Sequence, residues 1–259
     1  MDLARVGQAI DTYVRTDTPP VAVKMLATED ELPERVKMPA RDFGVKMPVC
    51  QIIALARRHG LVMAMSEYGM LCPIGAVALG LLPAREGFLD GRFGVPYWAA
   101  DKEATARFAQ YISRLEYGMY KYVVVAPIER ATFEPDVLIV YGNPAQIGRM
   151  VQAAVYVTGK PIQTPSIGGI ACAEQISRTM VTGEPQAPTV GGGERILALT
   201  QDHEASFALP SAMAEAFADA LAETHKRGAR YPTRSWLNFG AAMPPNFDQM
   251  MEYLQGNTQ

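Results

Sequence analysis

Five apolar runs of five or six residues, at 21–26, 61–65, 122–127, 137–141 and 196–200, limit this chain's fold more than any other feature. Each is the length of a single strand, well short of the roughly 20 residues a membrane-crossing helix needs. Segments with helical spacing lie between them. Leu3, Val6, Ile10 and Val14 share one face of an opening helix that Pro19-Pro20 stops. A second helix is expected from Val49 to Arg58, closed by Gly60 in the left-handed position. Asn143-Pro144 joins an N-cap to a first-turn proline, so a helix should run from there to near Gly159. Further helices are expected over 102–115 and 211–226, and from Cys72-Pro73 to about Leu82 and Cys172 to about Val181. Residues 27–47 read as a loop with at most one short turn of helix, 83–100 as an ordered loop, and the tail after Trp236 as irregular. The alternation predicts an α/β fold, a mixed sheet with flanking helices, forming a single domain over 1–259.

One pattern occurs twice. A helix, a glycine, an extended stretch and a cysteine that opens a helix follow Pro48 and again follow Pro144. Gly60 precedes Cys72 by 12 positions and Gly159 precedes Cys172 by 13. An internal duplication with halves 10–100 and 120–226 would set the two cysteines at equivalent places, facing one another.

Composition removes several function classes. The 24 Lys and Arg against 27 Asp and Glu give a net charge of −3, with no basic run, so a nucleic-acid partner is not expected. No membrane segment is expected, and the N-terminal stretch lacks the apolar centre of a signal peptide. Three cysteines are too few, and odd in number, for a disulfide framework, which points to the reducing cytoplasm. The acidic, Met-rich chain is compatible with a homodimer. A small molecule or a redox partner protein is the expected partner.

The chemistry-bearing residues are few. Cys72 and Cys172 open expected helices and Cys50 sits near the start of a third, where backbone N–H groups favour a thiolate. Thiolates are the ligands of iron–sulfur clusters and soft metals, and three would leave one iron of a [4Fe–4S] cluster open. Their spacing matches no tight motif. The alternative is that all three are small buried hydrophobes. Gly191, Gly192 and Gly193 with Arg195 could cradle an anion, or could make a tight hairpin leading into the 196–200 strand. The three histidines form no paired metal motif, and no G-x-S-x-G elbow exists. Glu67, Tyr68 and Arg178 lie close in sequence to Cys72 or Cys172 and are candidates for a supporting shell. Met63, Met65 and Met70 could wall a cofactor, and Phe93, Tyr97 and Trp98 could cover a pocket.

The stretches PPVAVKML (19–26), MPVCQIIALARRHG (47–60), MLCPIGAVALGL (70–81), IACAEQISRTMVTGEP (170–185) and GGGERILALTQDHE (191–204) resemble the family known as domain of unknown function 169. The likeness runs from about residue 10 to 225. It implies that the family's recurrent cysteines correspond to Cys50, Cys72 and Cys172. It also implies an oxygen-sensitive cluster, because the family is found largely in archaea and anaerobic bacteria. The leading expectation is therefore an iron–sulfur protein with a redox or substrate-activating role. The alternatives are a cofactor-free or tetrapyrrole- or small-ligand-binding module, with its pocket near the Met63–Met70 strand and the 93–98 loop, or an accessory subunit.

Overall fold

Four of the five apolar runs pair with one another, as extended segments must to satisfy their backbone N–H and C=O groups. In the computed structural model, which describes residues 1–233, 240, 243 and 246–255, five strands form one sheet. They are β1 (Val21–Leu26), β2 (Met63–Met65), β3 (Tyr122–Pro127), β4 (Val137–Gly142) and β5 (Ala205–Pro210), in the order β2-β3-β1-β4-β5. Every neighbouring pair is antiparallel, so the mixture of strand directions expected from sequence resolves into one pattern. Central β1 sets Val23 opposite Val125 on one side and Val137 on the other.

The helices are α1 (Leu3–Tyr13), α2 (Pro39–Phe43), α3 (Val49–His59), α4 (Pro73–Ala78), α5 (Glu86–Leu89), α6 (Lys102–Tyr111), α7 (Pro144–Thr158), α8 (Thr179–Thr182), α9 (Gly192–Ala198), α10 (Ala214–Lys226) and α11 (Asn246–Leu254). A π-helical stretch, Ala173–Arg178, runs directly into α8, making 171–182 one helical segment. Both faces of the sheet are covered, which is why its central strands read as unbroken apolar runs rather than alternating ones. Val21, Val23 and Met25 pack against Ile52, Ile53 and Ala56 of α3. Ala22, Leu138 and Val140 face Val6 and Ile10 of α1, Met150 of α7 and Phe217 of α10. The α/β class with flanking helices is what the sequence predicts. Helices α3 and α7, which the suggested duplication would equate, cover opposite faces. Among the described residues no helix is long and apolar enough to cross a membrane.

Local signals explain most boundaries. Gly60 ends α3 at φ +70° and Gly159 ends α7 at φ +65°, while the Asn143 side chain accepts from the Ala145 and Gln146 N–H groups. Two expectations are corrected. Residues 196–200 are not a strand: α9 occupies Gly192–Ala198, and Leu199 closes it at φ +52°. The late strand is instead β5, a few residues further on, pairing with β4 over its whole length. A short apolar run has no period that separates strand from helix. Here the choice is made by β5, whose Phe207 and Leu209 fill the core while Ile196 and Leu199 stay exposed. The tail after Trp236 is also not irregular throughout, since it contains α11; Trp236 itself lies outside the described residues. In the 83–100 loop there is one short helix, α5, and the Cys72 helix stops at Ala78, short of Leu82.

Candidate functional site

Three structural devices bring the cysteines together. Just before α3 and α4, Met47 and Met70 form a parallel bridge, Met47 N–H donating to Gly69 and Leu71 N–H to Met47. That bridge puts Cys50, in the first turn of α3, beside Cys72, the N-cap of α4. Ser177 Oγ then donates to the Ala78 carbonyl at 2.7 Å, laying the 171–182 segment across the end of α4. Ile170, immediately before that segment, holds φ +55°. A β-branched residue in the left-handed region costs about 1–3 kcal/mol and is found where tertiary structure forces it, often at functional sites. The π-helical register after Cys172 is a second irregularity of that kind.

The result is a cavity of about 250 Å³ lined by all three cysteines. The Cys72 and Cys172 sulfurs each lie 3.6 Å from where a Cβ on Gly75 would sit, so they are at most about 7 Å apart. Cys72 Sγ accepts from the Gly75 N–H at 3.4 Å. Val49, Ile74, Ile170 and Leu197 supply apolar wall, and Tyr97 and Trp98 contribute from the aromatic loop. Glu194 of α9 completes the lining with a carboxylate. No Lys, Arg or His is among the described residues that line the cavity.

That lining decides the electrostatics. The helix starts were expected to favour thiolates, but burial wins. It pushes the Cys50 thiol up to about 12, with the nearby Glu194 and Cys72 charges adding to it and the Gln51 N–H only partly opposing. Cys172 is raised well above the ordinary thiol range by the same causes, burial first and then the neighbouring cysteines. A thiolate buried without a positive partner costs several kcal/mol, and nothing on the cavity wall offers one.

Behind the cavity runs a buried polar chain. Tyr141 donates its hydroxyl to Glu194 Oε1, and Gln175 Nε2 donates to Tyr141 at 3.3 Å and to Ser206 Oγ at 2.9 Å. The Arg57 guanidinium stacks on the Tyr141 ring at 4.1 Å and holds Glu204 through two bonds of 2.6 and 2.9 Å. Glu194 is only 5% exposed, yet its Oε2 has no hydrogen-bond partner among the described residues. Burial raises its carboxyl above the usual range, against the opposing Tyr141 bond and Arg57 charge.

The other sequence candidates divide. Gly193 lines the cavity, and Gly191 lets two backbones touch: a Cβ there would lie 2.4 Å from the Gly168 carbonyl oxygen. That contact docks α9 on the loop leading to Cys172. Arg195 turns away, giving its guanidinium to the carbonyls of Thr200, Gln201 and Glu204. Arg178 donates to Gln186 at 3.1 Å, and Tyr68 stands exposed at a separate depression shared with Glu67. Met63 and Met65 are core residues of β2, and Phe93 packs with Phe88 behind Trp98. Sequence reasoning missed Glu194, Tyr141 and Gln175. Glu194 stood inside the glycine-rich motif, but nothing local distinguishes a buried glutamate from an exposed one. Among the described residues no three His, Cys, Asp or Glu side chains are grouped closely enough to hold a single metal ion.

The profile of the family described as domain of unknown function 169, an uncharacterised group, matches residues 9–220. The chain belongs to this family. An uncharacterised protein of Methanocaldococcus jannaschii, MJ0308, is 27% identical to it over 201 residues, which span 75% of this chain and 82% of that one. No solved structure matches the chain. All three cysteines fall inside the region that this family covers.

Proposed function

We propose that this member of the family is an iron–sulfur protein of a reducing compartment such as the cytoplasm, with Cys50, Cys72 and Cys172 as ligands of a [4Fe–4S] cluster. The observation that carries the reading is the convergence of the chain's three cysteines, from three separate helix starts, on one largely apolar cavity with no basic residue among the described residues that line it. Such a wall stabilises neutral thiols until a cation replaces their protons. A single zinc-like ion needs its sulfurs gathered at about 2.3 Å from one centre, and among the described residues no three such side chains are grouped that way. An iron–sulfur cluster spreads its cysteines over different irons, which suits a wider set.

When bound, such a cluster supplies one-electron transfer, or an open iron that polarises a substrate. The chain's own contribution is to exclude water with Trp98 and Ile170 and to hold the thiols at fixed helix starts. Tyr97, 68% exposed while still lining the cavity, gives a small molecule or redox partner a point of approach. The small-ligand alternative is weakened by volume. At about 250 Å³ the cavity is below the roughly 300–1,000 Å³ of typical ligand pockets, and a tetrapyrrole exceeds it.

The test is strictly anaerobic purification followed by an ultraviolet–visible spectrum with iron and acid-labile sulfide assayed on the same sample. Brown protein with about four irons per chain supports the reading. Colourless, iron-free protein after anaerobic reconstitution overturns it and promotes the ligand-binding module. Full cluster content in Cys72→Ala removes that cysteine from the ligand set.

A further inference from the structure

We propose that Glu194 supplies the fourth protein donor of the cysteine cavity, its Oε2 taking the position that three thiolates leave open. This rests on the three-cysteine cluster reading above. Glu194 lines the cavity with Cys50, Cys72 and Cys172, is more than nine-tenths buried, and keeps one carboxylate oxygen without a partner. A buried acceptor left bare is uncommon in a folded protein and calls for a ligand or ion to complete it.

The rest of the structure fixes this carboxylate rather than freeing it. Tyr141 occupies Oε1, Gln175 and the Arg57 stack hold Tyr141, and Glu204 holds Arg57. At the backbone, the Gly191 contact with Gly168 and Gly169 sets where α9 can lie. Hydrogen bonds of this kind would fix the orientation of a carboxylate holding a metal. Other donors fit less well. The chain has no fourth cysteine, and none of its three histidines lines the cavity. Glu174 also has a bare Oε2, but it does not line the cavity and its other oxygen accepts from the Ile167 N–H. A carboxylate is a harder donor than a thiolate, so an iron held by Glu194 would be electronically distinct from the thiolate-held ones.

Glu194→Gln is the test, since its amide oxygen can still accept from Tyr141 while an NH2, a poor metal ligand, takes the place of Oε2 with the shape unchanged. Wild-type and variant protein, reconstituted anaerobically, would be compared by electron paramagnetic resonance of the reduced cluster. The rate at which mild ferricyanide strips one iron to leave a three-iron cluster would be measured on the same samples. The expected result is near-equal initial iron and sulfide, an altered resonance, and loss of the fourth iron several-fold faster in the variant. Superimposable spectra and equal stripping rates, with iron present in both, overturn the carboxylate ligand and leave the cluster standing. Iron-free wild-type protein overturns both. Should Glu194→Gln fail to fold, Glu194→Asp, one methylene short of the site, is held to the same two readouts.

Discussion

The sulfurs of Cys72 and Cys172, 100 positions apart in sequence, are both 3.6 Å from the point where a Cβ on Gly75 would sit. Gly75 lies within helix α4, and 3.6 Å is ordinary van der Waals contact, so Gly75→Ala fits the metal-free fold. Helix propensity favours alanine over glycine by about 1 kcal/mol, so the melting temperature should hold or rise. The added methyl occupies the space beside both sulfurs, and iron incorporation should fall several-fold. Stable protein that loads iron normally would count against the proposed cluster lying in that space.

Gly191→Ala should act in the opposite way, on the fold. Its Cβ would press on backbone, 2.4 Å from the Gly168 oxygen and 2.6 Å from the Gly169 Cα, and backbone cannot swing aside as a long side chain can. Overpacking of this kind costs about 1–3 kcal/mol. The loss should appear in chemical denaturation, together with weaker iron loading as α9 lifts Glu194 from the cavity. Wild-type stability in this variant would mean that α9 docks more loosely than the contact implies.

Glu204 ties stability to pH. Burial would raise its carboxyl, but the paired bonds from Arg57, the Gln201 N–H and the charges of Arg57 and Arg58 outweigh that and hold it at about 2, against an ordinary 4.5. A carboxyl depressed in this way stabilises the fold fully above pH 4.5, and the contribution is lost as pH falls toward 2. The shift corresponds to at most about 3 kcal/mol. The two side chains are 1% and 6% exposed, so Glu204→Gln leaves Arg57 buried without its main partner. At pH 7 the variant should lose about 3–5 kcal/mol, and its stability should vary less than wild type across the acid window. Parallel pH profiles for the two proteins would remove Glu204 from the acid transition.

Thiol labelling provides a fourth check, on metal-free protein. With the Cys50 thiol pushed up to about 12, chiefly by burial, the reactive thiolate is a very minor species at pH 8. Iodoacetamide should therefore modify Cys50 far more slowly in native than in unfolded protein, as read by peptide mass spectrometry. Rapid native labelling would require a positive group near the sulfur.

Much of the scaffold was legible before any coordinates. Gly60 and Gly159 end helices because left-handed backbone favours glycine, and Asn143-Pro144 begins one because its side chain caps nearby N–H groups. Strands β1 and β3 were readable because a valine-containing apolar run of six, bounded by turn residues, is too short for a buried helix. The 196–200 run misled, because Ile196 and Leu199 look like core residues and are exposed, while ASFALP provides the edge strand. Which apolar run is buried depends on what β4 pairs with, and that partner is not local.

By itself, the sequence determined the α/β class, the glycine-closed ends of α3 and α7, and the family. These follow from backbone sterics, capping and composition, each acting within a few residues. Only the tertiary structure decided that the sheet is antiparallel, that three cysteines meet on one cavity, and that Glu194 rather than Arg195 turns toward them. Those outcomes depend on contacts between segments 23 to 144 positions apart, such as Met47 with Met70, Ser177 with Ala78, and Glu194 of α9 with Cys50. Burial and desolvation, which set the charge of the site, exist only once those segments have closed around it.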